Sequence, residues 1–217
     1  MNTKESLIIT ISREVGSGGR TVGKKLAERL GIRYSDRQLI QALEEKFGLS
    51  AAQIEKLKGE KKRWFDDFLN FVAPVPTPGM FVRQDTARAE FRDFHVNVTT
   101  EDVYKAEREI LNGIADCGPC VIAGRSAFFI LGDRPDKVDI LITASRDRRV
   151  RRIMEKQELS EEQALQVIRE VDTARENYVR RYTSTSRYDA RNYNLVINMD
   201  NLTEDAAVDL ILKYIGR

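Results

Sequence analysis

Short apolar runs alternate along the chain with stretches whose apolar residues recur every three or four positions. Leu7 to Ile11 is β-branched and shows no polar alternation before Ser12, the pattern of a strand buried on both faces of a parallel sheet. Thr21 to Leu30 follows as a helix, with Val22, Leu26 and Leu30 at helical spacing and Gly31 as its stop. Ile32-Arg33-Tyr34 reads as a second strand, after which Ser35 or Asp36 can cap a helix over Arg37 to Lys46 with Leu39, Ile40 and Leu43 on one face. Val103 to Ala115 reads as a helix, Cys120 to Ala123 as a third strand and Val138 to Thr143 as a fourth. Ser160-Glu-Glu-Gln163 has the form of a capping box and opens a helix running to Arg181. Asn194 to Asn198 is the last strand, and Thr203 to Ile215 closes the chain as an amphipathic helix with Ala206, Ala207, Leu210, Ile211 and Ile215 inward. Five strands alternating with helices predict an α/β fold: a three-layer, doubly wound, parallel five-stranded sheet in one domain.

The pattern breaks between about 47 and 100, where a helical insertion is expected. Ser50-Ala-Ala-Gln53 begins a further helix, Lys61-Lys-Arg-Trp-Phe65 sets charge against aromatics, and Pro74, Pro76 and Pro78 forbid regular helix or central strand. A solvated helix pair joined by an extended linker is one reading, and a substrate-binding subdomain the other. Trp64, Phe65 and Phe68 have the spacing of a small core, though they also suit base stacking. His95, the one histidine, fits a strand edge or loop.

Composition removes several classes. At 217 residues, with 32% charged residues and a net charge of +2, the chain has no overall basic field for nucleic acid or membrane surfaces. No segment is apolar over the length of a membrane span, and the amino-terminal residues have too short an apolar core for a signal peptide, so a cytoplasmic protein is expected. Cys117-Gly-Pro-Cys120 matches a thioredoxin tetrapeptide, but redox chemistry needs the first cysteine at a helix N-terminus. Here Cys117 follows a helix, which favours a turn with a neighbouring buried thiol.

Candidate chemistry starts at Gly16-Ser17-Gly18-Gly19, between the first strand and helix. Residues without a Cβ let bare backbone N–H groups approach a ligand, and the following helix points its positive end into the turn, so phosphate is the expected guest. The phosphate-loop pattern G-x-x-x-x-G-K-[ST] is only partly met: in Gly19-Arg20-Thr21, arginine stands for lysine and Glu14 for the first glycine. Arg125 and Ser126 follow the third strand, at the sheet edge where ligand crevices of open α/β folds lie. Arg146, Arg148, Arg149, Arg151 and Arg152 crowd one helix with only Asp147 among them, a density that calls for an anionic partner.

Ile9 to Ala27, ITISREVGSGGRTVGKKLA, resembles without gaps the cytidylate kinase segment ITIDGPSGSGKGTVAKRLA. Gly16, Ser17, Gly18 and Thr21 match, Gly19 falls on the catalytic lysine and Arg20 on the next glycine. The loop is more similar still to the SREYGSGGRE type of the divergent cytidylate kinase-like proteins. Arg33 to Ile40 resembles the segment LLDSGAIYR, Gly124-Arg125-Ser126 the G-R-D of the acceptor site, and Asp172-Thr-Ala-Arg175 the RDDRDR stretch, where only Asp172 matches in the ungapped register. The resemblance implies a P-loop NTPase-type fold with a lid at about 148–185, and ATP-dependent phosphoryl transfer to a nucleoside monophosphate, CMP or dCMP above all. It implies ATP contacts from Gly16, Ser17, Gly18, Gly19, Arg20 and Thr21, with Arg149 and Arg152 from the arginine-rich helix. Thr21 is then the Mg2+ ligand, and Asp36, Arg125, Ser126, Asp172 and Arg175 form the acceptor side. Arg20, Arg152 and Arg175 are the catalytic candidates. Small-molecule nucleotides are the expected partners. A nucleotide-binding protein without kinase activity, a kinase of another small acceptor and, on C-G-P-C alone, a thiol oxidoreductase stay open beside this reading.

Overall fold

The computed structural model describes residues 7–36, 41–42, 45–46, 48 and 99–217. Of the helix expected over Arg37 to Lys46, only Gln41, Ala42, Glu45 and Lys46 are described, and all four are helical. Ser50 to Gln53, Lys61 to Phe65, Phe68, the three prolines and His95 lie outside the described residues.

β1 (Ile8–Arg13) is the middle strand of a five-stranded sheet completed by β2 (Arg33–Ser35), β3 (Cys120–Ala123), β4 (Lys137–Thr143) and β5 (Leu195–Asn198). The order is β2-β3-β1-β4-β5 and every pairing is parallel. The strand runs two residues beyond the apolar Leu7–Ile11 stretch because Ser12 and Arg13 keep pairing with Leu141 and Ile142 of β4. Successive side chains on a strand point to opposite faces, and both faces here are covered. Ile9, Ile11, Val121, Ile140 and Ile142 pack on α1 (Gly19–Leu30) and α6 (Glu204–Tyr214) through Val22, Leu26, Val208 and Ile211. Ile8, Cys120 and Ile122 face α2 (Thr100–Asp116) through Val103 and Leu111, next to Ile130 of the short α3 (Ala127–Ile130). The expected doubly wound three-layer architecture is the observed one.

α4 (Arg146–Gln157) and α5 (Glu161–Tyr182) form a hairpin after β4, and Ser160 and Gln163 make the predicted capping box. Their apolar faces, with Val150, Ile153, Ala164, Ile168 and Val171, enclose Val15 from the turn after β1. α6 departs from expectation in one respect: Val208 faces the core and Leu210 is 45% exposed, so the buried stripe is rotated from the predicted one. Cys117 caps the C-terminal end of α2 and is exposed, whereas Cys120 opens β3 fully buried, and burial pushes its thiol pKa up. That is opposite to the low-pKa thiolate redox exchange requires.

One polar pair crosses the sheet interior. Thr10 Oγ1 donates to Asp139 Oδ1 at 2.5 Å, and Lys137 Nζ lies 2.9 Å from Asp139 Oδ2. Burial raises the Asp139 carboxyl above its ordinary value while these bonds pull the other way. Because the folded state then binds the proton more tightly than the unfolded chain, this group adds stability below the unfolded value of about 3.9 and loses it as pH rises through the folded one. The stability difference between wild type and Asp139→Asn, from urea midpoints, should therefore shrink as pH rises from about 4 and then level off; a difference that widens contradicts this assignment.

Candidate functional site

Between β1 and α1 the chain turns through Glu14 to Gly18. Gly16 and Gly18 have φ of 81° and 92°, in the left-handed region that a Cβ makes costly. Ser17 is buried, and both its N–H (3.2 Å) and its hydroxyl (2.9 Å) donate to the Glu14 carbonyl, closing the turn. α1 has no side-chain cap and no acid in its first turn. Its first N–H groups and positive dipole end thus face the concavity of the loop, an arrangement suited to an anion.

The underside of the loop is held by α4 and α5. Arg149 donates from Nε to the Val15 carbonyl (2.8 Å) and from Nη1 to Glu14 Oε1 (3.0 Å), and its Nη2 bonds Asp172 Oδ2. Asp172 Oδ1 accepts from Val15 N–H at 3.2 Å, so both peptide groups of Val15 are taken. Glu14 Oε2 accepts from Ala144 N–H at the end of β4 (3.2 Å). Arg175 and Arg187 also approach Asp172, at 3.6 and 3.5 Å. Arg149 and Asp172 are each 7% exposed. The structure therefore places these two expected ligand contacts beneath the loop, in contact with the loop itself. A Cβ on Gly16 would stand 2.8 Å from the Arg149 carbonyl, so close packing on α4 requires glycine there as much as φ does.

The arginines of α4 diverge. Arg148 caps the Asp200 and Leu202 carbonyls at 2.8 and 2.9 Å, while Arg146 and Arg151 are exposed. Arg152 reaches the mouth of the loop, with Nη2 3.3 Å from Thr21 Oγ1 and Nη1 2.8 Å from Glu204 Oε1. Burial works to raise the Glu204 carboxyl, but its hydrogen bonds and Arg152 hold it below the ordinary value.

Across the mouth, Asp36 directly follows β2 and is 9% exposed. Arg20 Nε lies 2.6 Å from its Oδ2, Arg13 Nη2 lies 3.4 Å from its Oδ1, and Arg125 Nε donates to its carbonyl at 3.3 Å. Arg125 and Ser126 follow Gly124 with φ of 56° and 54°, consecutive left-handed residues costing about 1–3 kcal/mol each, a strain typical of ligand-facing turns. Tyr34 donates to the Arg20 carbonyl at 3.3 Å, and burial, reinforced by Asp36, pushes its pKa up to about 12. Arg175 Nη1 and Arg187 Nη2 both donate to the Arg13 carbonyl, at 3.2 and 2.7 Å. Arg20, Asp36 and Arg125 thus meet on one side of the mouth and Thr21 and Arg152 on the other, with Ser126 in the adjoining turn. Arg13, Arg187 and Glu204 belong to the site without having stood out in the sequence, and Glu14, which stood out only as a departure from the loop pattern, belongs to it too. Arg13 and Glu14 adjoin the loop and so carried a positional signal; Arg187 carried none.

A parallel sheet in this order, with a glycine-rich turn between its middle strand and an uncapped helix, defines an α/β protein of the P-loop NTPase type. More particularly, a sequence profile of the cytidylate kinase-like family matches residues 8–201, and the chain belongs to that family. Family and fold together support a nucleotide kinase. An uncharacterized protein from Eubacterium ventriosum has a similar structure, with a TM-score of 0.66, 24% identity, and 97% of this chain and 99% of that one covered. The shikimate kinase of Bacteroides thetaiotaomicron shares the fold at a TM-score of 0.53 and 14% identity, over 97% and 99% of the two chains. A uronate isomerase from Corynebacterium glutamicum is 32% identical over 110 residues, 51% of this chain; the chain spans about a fifth (21%) of that protein's length.

Removing one partner from a buried ion cluster leaves the others unmatched, at a cost of about 3–5 kcal/mol. Asp172→Ala should therefore lower the thermal midpoint markedly and weaken nucleotide binding, because Val15 and Arg149 lose their shared anchor. A variant with wild-type stability would mean that the loop does not depend on this carboxylate.

Proposed function

We propose that the protein transfers the γ-phosphoryl group of ATP to a nucleoside monophosphate, with CMP or dCMP as the favoured acceptor. The observation that carries this reading is the uncapped start of α1 facing a glycine loop whose shape is fixed from below, with cations on both sides of its mouth. Backbone N–H groups between Gly16 and Thr21 hold the β- and γ-phosphates, apart from that of Ser17, which is committed to the Glu14 carbonyl. On the donor side Arg152 stands beside Thr21; on the acceptor side Arg125 and Arg20 offer guanidinium forks to a monophosphate, which competes with Asp36 for Arg20. Asp36 and Ser126 border the acceptor. In transfer, an oxygen of the acceptor's phosphate forms a bond to the γ-phosphorus, the bond to the bridging oxygen breaks, and ADP leaves with the electron pair. Arg152 and Arg175 spread positive charge over the equatorial oxygens, while Arg20, expected beside them, is held by Asp36 on the acceptor side. Arg149 and Asp172 act as positioning residues, and the α4–α5 hairpin, part of the 148–185 lid, closes on the mouth.

Mg2+ is the ion proposed here, carried by the nucleotide. Among the described residues no group of three or more carboxylate, histidine or cysteine side chains is placed to cage a metal, and a kinase Mg2+ takes most ligands from phosphate and water. Thr21 is the side chain that would hold it, and the ion would supply neutralisation of phosphate charge. No described helix is long and apolar enough to cross a membrane, and the cytoplasm, where ATP and monophosphates meet, is the proposed location. Glycine at position 19, in place of lysine, favours a second reading: a nucleotide-binding protein that does not catalyse. ADP release from ATP with a panel of nucleoside monophosphates separates the two.

Gly18 is the loop residue to test, since a Cβ there has no neighbour nearer than 3.5 Å and the fold tolerates it in space. Gly18→Val should lose ATP, as a branched side chain intrudes on the phosphates, and should melt earlier, as φ 92° strains a branched residue; a folded variant with retained affinity would end the loop reading.

The two sides of the mouth are separable. Arg125→Ala should weaken the acceptor about tenfold to hundredfold and leave ATP nearly unchanged, with Arg152→Ala doing the reverse, one charged hydrogen bond contributing roughly 1.5–3 kcal/mol. Calorimetric titration decides it: equal losses of both ligands in both variants would show one shared site.

A further inference from the structure

The position where related loops carry lysine is closed to any side chain in this protein. A Cβ on Gly19 would lie 2.6 Å from Arg13 Cβ and 3.1 Å from Ile142 Cβ. From there the Arg13 side chain crosses the mouth to the end of β3, where a Cβ on Gly124 would overlap Arg13 Nη1. Two glycines, one on the donor loop and one before Arg125, thus stand where they do because Arg13 fills the space of their side chains. The Arg13 side chain is 16% exposed, and Asp36, its carboxylate partner at 3.4 Å, lies closer to Arg20, at 2.6 Å. Burial draws the Arg13 pKa below its ordinary value, Asp36 pushes it up, and Arg125 and Arg187 push it down again. A desolvated cation that shares one carboxylate and stands near two further cations favours the arrival of an anion. Its main chain is pinned by Arg175 and Arg187, so the side chain starts from a fixed point.

We propose that Arg13 is the catalytic cation that replaces the missing loop lysine, reaching the transferring phosphoryl group from the end of β1 instead of from the start of α1. Arg13 and Gly19 are then a reciprocal exchange: strand arginine with loop glycine in place of strand glycine with loop lysine. This rests on the phosphoryl-donor reading of the loop. It departs from the expectation that Arg20 supplies the lysine's charge, since Asp36 engages Arg20 at 2.6 Å and Arg13 only at 3.4 Å.

The test measures binding of ATP and of inorganic tripolyphosphate, with thermal midpoints alongside. Arg13→Met, close in length and uncharged, should weaken both ligands about tenfold to hundredfold. Arg13→Lys should recover part of the loss. Gly19→Lys alone should bind poorly and melt early because its Cβ meets Arg13 Cβ. Adding Arg13→Gly should restore tripolyphosphate binding and the midpoint, whereas adding Arg13→Ala should not, because the obstructing Cβ remains. Wild-type affinity in Arg13→Met overturns the proposal, and so does a Gly19→Lys variant that Arg13→Gly fails to rescue, even where Arg13→Met does not fold. Failure of the wild type to bind either ligand would remove the donor-site reading itself, whereas normal wild-type binding that is indifferent to Arg13 removes this assignment alone.

Discussion

A carboxylate buried beneath a glycine loop must be matched by cations, and at Asp172 the match is made by three guanidinium groups and the N–H of Val15. That cluster ties together elements far apart in sequence: the turn after β1, the first turns of α4, the middle of α5 and the segment after it. Each charge in it is tolerable only because the others are present. The cluster is a device for fixing geometry more than for adding stability. A phosphate cradle made of backbone N–H groups works only if the backbone is held still, and small flexible residues cannot do that for themselves.

The sheet was legible in the sequence because burial on both faces leaves apolar runs in its central strands, bounded by turn residues. Helix starts were legible where a capping box announced them, as at Ser160. The α6 stripe was misread because Leu210 and Val208 are equally apolar, so periodicity alone did not fix which of them faced the sheet. The site was half legible. A glycine cluster between strand and helix declares a phosphate loop from local chemistry alone, and Arg125 declares itself by following a strand. Arg149 and Asp172 looked like ligand residues because their partners lie elsewhere: 23 positions separate them from one another and more than a hundred separate either from Val15. An arginine-rich helix has the same appearance whether its cations meet substrate or the protein's own carbonyls and acids. In this protein Arg148 and Arg149 do the latter, and only Arg152 points to the mouth.

Glu14 illustrates the same point from the other side. Against the phosphate-loop pattern it is an acid where glycine belongs, which reads as a defect. In the fold one of its oxygens accepts from the end of β4 and the other from Arg149, so it braces the turn against the neighbouring strand and helix. In the ungapped register the departures fall on Arg13 and Gly19, which meet in space, and in the shifted one on Glu14, which braces the same turn, so judging each by itself overstates the damage to the loop.

Both helices of the α4–α5 hairpin grip the peptide groups of Val15, Arg149 from one and Asp172 from the other. Lifting the hairpin as a rigid body would strip that residue of two hydrogen bonds and bare several buried charges at once. In mechanical terms the hairpin is a clamp whose two jaws close on a single residue, so the cradle keeps its shape for as long as the hairpin stays seated.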